Sequence, residues 1–394
     1  MEGEKPKVSP LWRAERSEPK ASAGAKAPGS GARGCSSARS RTSACHAEDR
    51  GFKSHHPREY FSCSMKKQVF IISFFIFFFL FLFVFFEVYF PKDPNSKEQI
   101  LFEIKRGEGL REISQNLKEK GIIKNATLFQ LYTFLNGTSR QLKAGYYFLS
   151  PAFSFQQLVE KFAKGKVAKE RVTIPEGFTL KEIQERLKET ILIKGDISQL
   201  KVKDFKEEFD FLKEVPENSN LEGFLFPDTY EFFYGEKAEE IARKMLTNFG
   251  QKINAELRKE IERQGKSIYQ IVIMASMLEK EVKTLEDKKL VSGILWKRLE
   301  KAMPLQVDAT INFITGKKTI KISLEDLQID SPYNTYKYKG LPIGPISNPG
   351  LDSILAAIYP KESEFWYYLS LPEGKTIFTK TLQEHNFFKA KYLK

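Results

Sequence analysis

One carboxylate in this 394-residue chain lies in a setting that suits acid–base chemistry. Glu222 is followed by a glycine and a run of aromatic and apolar residues, and a Pro-Asp-Thr turn ends residues 221–230, LEGFLFPDTY. A carboxyl group held in an apolar pocket has a raised pKa, which a general acid needs near neutral pH. The alternative interpretation is a strand that begins with a solvated Glu, because charged side chains are mostly exposed.

The charge and cysteine content exclude several other kinds of site. The net charge is +13, and residues 1–67 hold 14 Lys and Arg against 7 Asp and Glu. No zinc-finger spacing or RNA-binding aromatic signature accompanies this charge, so we predict no nucleic-acid partner. Cys35, Cys45 and Cys63 all precede a Phe-rich segment and lack metal-ligand spacing. We therefore predict neither a metal nor a cofactor.

Residues 1–64 are rich in Ser, Ala, Gly, Arg and Lys and have few large apolar side chains. Such a segment cannot bury enough surface to offset its chain entropy, so we predict a disordered basic tail. The alternative is that these residues belong to an over-extended gene model, because Met65 followed by two lysines and an apolar run resembles a natural start.

A single transmembrane helix is predicted over residues 66–90. Residues 69–86 contain no charge and, at 1.5 Å per residue, extend about 27 Å, close to the thickness of a bilayer core. Lys66 and Lys67 precede the run, which predicts a cytoplasmic N-terminus and places the following domains on the outer face of the plasma membrane. The apolar region of a cleaved signal peptide is shorter than this one and is followed by small residues, so a signal peptide is disfavoured.

The chain after this helix contains an internal repeat. Residues 102–124 and 172–194 align without a gap, and each copy predicts a short strand, a glycine turn and an amphipathic helix. Further on, residues 142–164 resemble residues 221–249, in an alignment that matches Glu222 with Ala144. The sequence thus predicts a duplicated aromatic strand. One copy begins with the carboxylate of Glu222, and the other has Ala144 at the same position.

The fold class predicted from these patterns is α+β. Residues 98–168 read as strand, helix, helix and strand, an order that resembles a LysM-type module, a fold associated with glycan binding. The alternative is a structural domain that only spaces the remainder of the chain from the membrane.

Several rare strings follow in a fixed order. They are LEGFLFPDTY at 221–230, ASMLEKEV at 275–282, MPLQVDAT at 303–310, SPYNTY at 331–336, GLPIGPISNPG at 340–350 and EHN at 384–386. Together they resemble the YceG-like (MltG) family of endolytic murein transglycosylases, over roughly residues 65–394. The chain departs from the family at Val307, where Ser is usual, and at Ala309, where Pro is usual.

The resemblance implies a mixed α+β catalytic domain at residues 170–394, with Glu222 as the acid and base. The implied reaction is cleavage of MurNAc–GlcNAc bonds in nascent peptidoglycan without water, which leaves 1,6-anhydro ends and terminates strand elongation. Peptidoglycan synthases are the implied partners. The implied substrate-binding residues, for which helix capping and turn chemistry are the alternative roles, are Gln306, Asp308, Tyr333, Asn334, Thr335 and Tyr336.

Two points stay open at this stage. A hydrolytic muramidase would need a second carboxylate, for which Asp308, Glu281 and Asp228 are candidates. A glycan-binding scaffold without catalysis is the other alternative. Asn348 belongs to a predicted turn and helix start, without a direct role in substrate contact.

Overall fold

The computed structural model describes residues 58–317, 322–371 and 373–392. Helix α1, Arg58–Tyr89, contains residues 58–64, which the sequence analysis assigned to the disordered tail. No Pro or Gly interrupts these residues, and a helix once nucleated extends at little cost. Residues 1–57, with the remainder of the predicted tail, lie outside the described part of the chain.

The predicted membrane helix is present. Lys67–Tyr89 is the one described helix that is long and apolar enough to cross a membrane, and no other described part of the chain covers its Phe-rich surface. Val88, near its end, is 7% exposed and belongs to the core of the module that follows.

That first module consists of two strands and three helices: β1 Ile100–Ile104, α2 Leu110–Glu119, α3 Ala126–Leu135, β2 Gly145–Leu149 and α4 Phe155–Lys164. β1 pairs with β2 in antiparallel register, with Phe102 opposite Tyr147. Because side chains point alternately to the two faces of a strand, these two paired side chains share one face. On that face they are buried together with Phe162. The predicted order of strand, helix, helix and strand is therefore observed.

The repeat is visible in the next elements, which are β3 Lys169–Thr173, α5 Leu180–Thr190, β4 Ile193–Lys194, β5 Thr229–Phe233, β6 Glu236–Lys237 and α6 Ala238–Lys252. β3 and β5 pair in antiparallel register, as β1 and β2 do, and β4 pairs with β6 in parallel. Gly107 and Gly177 occupy equivalent turns, with φ of 81° and 77°. The repeated strand, turn and helix are confirmed.

The predicted position of Glu222 within the repeat is wrong. Val172 pairs with Tyr230 as Phe102 pairs with Tyr147, so Tyr230 is the counterpart of Tyr147. By this register Ala144 corresponds to Pro227, and Glu222 lies outside the duplicated strand. The consecutive apolar residues after Glu222 enter the core together, which requires a tight turn. In a two-stranded ribbon, consecutive side chains point to opposite faces and could not all enter one core.

The C-terminal part is a cluster of helices with a terminal hairpin. Its elements are α7 Ala255–Arg263, α8 Ile268–Glu281, α9 Leu285–Glu300, α10 Asp308–Thr315, α11 Leu351–Ile358, β7 Tyr367–Ser370, β8 Thr376–Thr379 and α12 Leu382–Tyr392. Residues 271–278 of α8 are all buried, so this part of the helix is enclosed on every side and forms the centre of the domain. The chain is therefore a mixed α+β protein built on α8.

Candidate active site

Glu222 lies in a turn over the start of α5, and its side chain is 4% exposed. The backbone N–H of Leu180 donates to its carboxylate, at 3.2 Å to Oε1 and 3.0 Å to Oε2. The side-chain Nδ2 of Asn348 donates to Oε1 at 2.9 Å. Because the first N–H groups of a helix lack partners within it, the N-terminus of α5 suits a carboxylate at this position.

The shape of the turn depends on Gly223. Its φ is 87°, in the left-handed region, and a Cβ on this residue would lie 2.6 Å from Pro345 and 2.7 Å from Val272. Phe224 and Leu225, which follow, are completely buried. The turn therefore drives two apolar side chains into the core and leaves the Glu222 carboxylate at the core's edge.

Burial raises the pKa of Glu222 to about 8. The Leu180 N–H opposes this rise, the negative charge of Glu182 adds to it, and the positive charge of Lys280 opposes it. At neutral pH the carboxyl group is therefore largely protonated. This is the condition that the apolar run after Glu222 predicts for a general acid.

A pH dependence of stability follows from this pKa. Between its ordinary value of 4.5 and about 8, Glu222 is protonated in the folded chain and ionised in the unfolded chain. The free energy of unfolding of the wild type should therefore fall, relative to that of Glu222→Gln, as the pH rises through this window. Below this pH window the difference between the two free energies of unfolding should stay constant. Urea unfolding of both proteins at several pH values measures the effect, and parallel curves throughout would contradict it.

The three candidate second carboxylates occupy other environments. Asp228 accepts from Asn248 at 3.0 Å on the surface of the domain. Asp308 is exposed at the start of α10, and Glu281 accepts from the N–H of Ala309 at 3.1 Å. The charges with the largest effects on Glu222 are those of Glu182 and Lys280, not those of these three carboxylates.

Two of the four predicted sugar-contacting residues at 333–336 have structural roles. Asn334 is completely buried, and its Nδ2 donates to the carbonyls of Leu327 and Ile329 at 2.9 and 2.8 Å. Thr335 is 1% exposed, and its hydroxyl accepts from the N–H of Val307 at 3.0 Å. These polar groups satisfy buried backbone partners, which is the structural role that the sequence analysis gave as the alternative to substrate contact.

The two tyrosines of the same segment remain accessible. Tyr333 is partly buried beside Phe313, and both burial and the negative charge of Glu222 raise its pKa. The Tyr336 hydroxyl donates to the carboxylate of Asp308. Gln306, which is exposed, has a φ of 55°, and its N–H donates to the carbonyl of Thr335 at 3.1 Å. The buried Thr335 thus holds the backbone of Gln306, one of the predicted binding residues on this surface.

Glu281 belongs to a second polar cluster at the end of α8. Burial, with a smaller contribution from the negative charge of Asp308, raises its pKa to about 7. The N–H of Ala309 and the Tyr368 hydroxyl favour the ionised form. Ala309 is one of the two departures from the family pattern, and a Pro there could not donate this N–H.

Asn348 is the site residue that the sequence analysis missed. Its string, GLPIGPISNPG, was recognised, but its turn residues predicted only a helix start. Gly350 does directly precede α11, as its N-cap residue, and its N–H donates to Glu279 at 3.0 Å. Asn348 instead reaches back across 126 positions to Glu222, a contact that local patterns do not indicate.

Within the described residues, no three His, Cys, Asp or Glu side chains converge as a metal site requires. The arrangement instead offers one buried carboxyl group that is protonated at neutral pH, two fixed donors to it, and a neighbouring surface of tyrosines, Gln306 and Asp308. This set can donate a proton to a bound molecule and take one back.

The chain is similar in sequence to a known family and to named proteins. A family model described as the YceG-like family matches residues 102–391. An endolytic murein transglycosylase from Bacillus subtilis (strain 168) is 32% identical over 317 residues, which cover 77% of this chain and 87% of that protein. One from Streptococcus pneumoniae serotype 2 (strain D39 / NCTC 7466) is 30% identical over 326 residues, which cover 75% of this chain and 59% of that longer protein.

A solved structure gives the same result. The crystal structure of a YceG-like protein from Listeria monocytogenes is similar with a TM-score of 0.51 and 38% sequence identity. The similarity covers 75% of this chain and 100% of that one. With a family model that matches most of its length, and with a relative above 30% identity, this chain belongs to the YceG-like family.

Proposed function

We propose that this chain is a membrane-anchored endolytic transglycosylase that cuts MurNAc–GlcNAc bonds within nascent peptidoglycan strands. The observation that carries the proposal is the Glu222 carboxyl group, which is buried, hydrogen-bonded and protonated near neutral pH. It lies in a member of a family whose relatives from Bacillus and Streptococcus are named endolytic murein transglycosylases.

In this proposal Glu222 performs both proton transfers. It gives its proton to the glycosidic oxygen as the bond between that oxygen and C1 of MurNAc breaks. The carboxylate left behind then takes the proton of the MurNAc C6 hydroxyl, whose oxygen bonds to C1 and closes a 1,6-anhydro ring. GlcNAc leaves with a free hydroxyl, and no water is consumed. Glu222 ends protonated, ready for the next bond.

A single carboxylate suffices for this chemistry, because the substrate supplies the nucleophile. A hydrolase of the usual kind needs a second carboxylate at about 5 to 9.5 Å. Asp228 and Glu281 have hydrogen-bond partners of their own, and Asp308 is held by Tyr336. The lytic reaction is favoured over the muramidase alternative because the relatives from Bacillus and Streptococcus are named endolytic murein transglycosylases.

We assign substrate binding to the exposed or partly exposed side chains of Gln306, Asp308, Tyr333 and Tyr336. Val272 of α8 lies under the turn at Gly223, and Glu281, nine residues later, contacts the start of α10. The rise along α8 between them is about 14 Å. A surface of this length suits an extended polymer better than a single sugar.

The remaining parts are proposed to bring this site to its substrate. Residues 98–168 would form a LysM-like glycan-binding subdomain, supported by their strand, helix, helix and strand order. Residues 170–394 would be the catalytic domain. The helix at 66–90 would anchor both on the outer face of the plasma membrane, with the N-terminus cytoplasmic. Cuts made there, beside the synthases that elongate strands, would set strand length.

The products test the proposal. Uncrosslinked glycan strands treated with the full-length protein in detergent should give fragments with 1,6-anhydro-MurNAc ends, 18 Da lighter than reducing ends, by mass spectrometry. Internal cleavage should yield a broad range of fragment lengths from the first time point. Reducing ends would instead identify a muramidase, and binding of strands without any product would identify a scaffold.

A further inference from the structure

The amide of Asn348 is fixed in one orientation. The side chain is completely buried, and its Oδ1 accepts from the N–H of Leu225 at 2.9 Å. Its Nδ2 donates to the carbonyl of Phe178 at 2.9 Å and to Glu222 Oε1 at 2.9 Å. Because Leu225 offers only a donor and Phe178 only an acceptor, a reversed amide would lose both bonds.

The segment that carries Asn348 is fixed as well. The Asn348 N–H donates to the carbonyl of Phe178, and the N–H of Gly177 donates to the carbonyl of Asn348, both at 2.8 Å. These two bonds join the segment to the turn before α5. The first N–H of α5, that of Leu180, also donates to Glu222. Both donors to the carboxyl group therefore belong to one rigid unit.

The two carboxyl oxygens of Glu222 are not equivalent. Oε1 accepts from Asn348 at 2.9 Å and from Leu180 at 3.2 Å, whereas Oε2 accepts from Leu180 at 3.0 Å. The backbone N–H of Gly223 also favours the ionised form of the carboxyl group. Each carboxyl oxygen has two lone pairs in the plane of the group. The Asn348 amide occupies one lone pair of Oε1 and none of Oε2.

We propose that Asn348 is a positioning residue, which occupies Oε1 so that Oε2 carries the proton that reaches the glycosidic oxygen. The inference rests on the proposed function, in which Glu222 is the acid and base. After the transfer, the same amide stabilises the carboxylate, because a hydrogen bond to the ionised form favours that form. Asn348 thus selects the reacting oxygen and eases loss of its proton.

Other titratable groups also face Glu222, and the test has to separate their effects. They are Glu182 on α5, Lys280 on α8 and Tyr333 from the segment before α11. Glu182 and Lys280 act on Glu222 through their charges, and Tyr333 is a neutral phenol whose own pKa the Glu222 charge raises. Asn348 is neutral, so the effect of its removal on Glu222 reports the hydrogen bond and not a change in charge.

The experiment is an infrared titration of the protonated carboxyl band in full-length protein in detergent, with Glu222→Gln as the blank. Asn348→Ala should raise the apparent pKa of Glu222 by about one unit, because the ionised form loses a donor. In the proposed reaction it should lower kcat at least about 30-fold and leave KM within about threefold. Asn220→Ala is the matched control, because Asn220 accepts from the Glu222 backbone N–H and does not touch the carboxyl group.

Asn348→Asp decides the question if the Ala variant does not fold. One of its oxygens can still accept from Leu225, and the other then faces Glu222 Oε1, so the two carboxyl groups must share a proton. The Glu222 band should titrate in two separate steps. A folded Asn348 variant in which this band titrates as in the wild type overturns the inference. Activity retained by Glu222→Gln would instead overturn the proposed function, and the titration does not depend on that result.

Discussion

Glu222→Gln should lower the rate of glycan cleavage at least about 1,000-fold while the protein stays folded. One side chain performs both proton transfers in the proposed reaction, and a positioned acid or base contributes about 10²- to 10⁴-fold by itself. The Gln amide has nearly the same shape but has no proton to give. Its oxygen can keep the bonds that Oε1 accepts from Asn348 and Leu180, but the amide nitrogen in place of Oε2 cannot accept the shorter bond from Leu180. A loss of about 1 kcal/mol of stability therefore accompanies the change.

Product quantification by mass spectrometry measures the effect, with thermal unfolding to confirm the fold. Asp228→Asn is the matched control, because Asp228 lies in the same string, was a candidate second carboxylate, and bonds to Asn248 on the surface. Its activity should stay within about threefold of wild type. More than one tenth of wild-type activity in Glu222→Gln would contradict the assignment of Glu222.

Gly223→Ala should have the largest effect on stability, a loss of about 2 to 5 kcal/mol. The left-handed backbone costs about 1 to 2 kcal/mol for a residue with a Cβ. The added methyl would lie 2.6 Å from Pro345 and 2.7 Å from Val272, and overpacking of a core costs about 1 to 3 kcal/mol more. Activity should fall too, because any relief of this overlap moves the neighbouring Glu222.

Urea unfolding of the two proteins measures this loss. Gly265→Ala is the control, because its φ is 65° and an added Cβ would meet nothing within 4 Å. This variant should lose only the backbone cost of about 1 to 2 kcal/mol and keep its activity. Equal losses in the two variants would show that the contacts with Pro345 and Val272 are unimportant.

Local patterns in the sequence predicted most of the elements. The apolar run at residues 69–86 predicted the exposed helix α1, and the 70-residue repeat predicted β1, α2, β3 and α5. Each of these signals is contained in a window of a few turns, where hydrophobic period and glycine position decide the backbone.

Side-chain roles were harder to predict at residues 333–336. Asn334, Thr335 and the two tyrosines are all polar or aromatic, so the sequence predicted four sugar contacts. The structure separates them, because Asn334 and Thr335 satisfy buried backbone groups of Leu327, Ile329 and Val307. Residue type alone does not tell a group that binds a ligand from one that completes a loop.

The sequence by itself determined the α+β class, the membrane helix, the repeat and the choice of Glu222 as the acid to examine. Only the tertiary structure decided that Glu222 lies in a turn and not in a strand. It also decided that Leu180 and Asn348 hold the carboxyl group, from 42 and 126 positions away. The physical reason is that burial and hydrogen bonding, which set the pKa of Glu222, come from segments that meet only when the core around α8 forms.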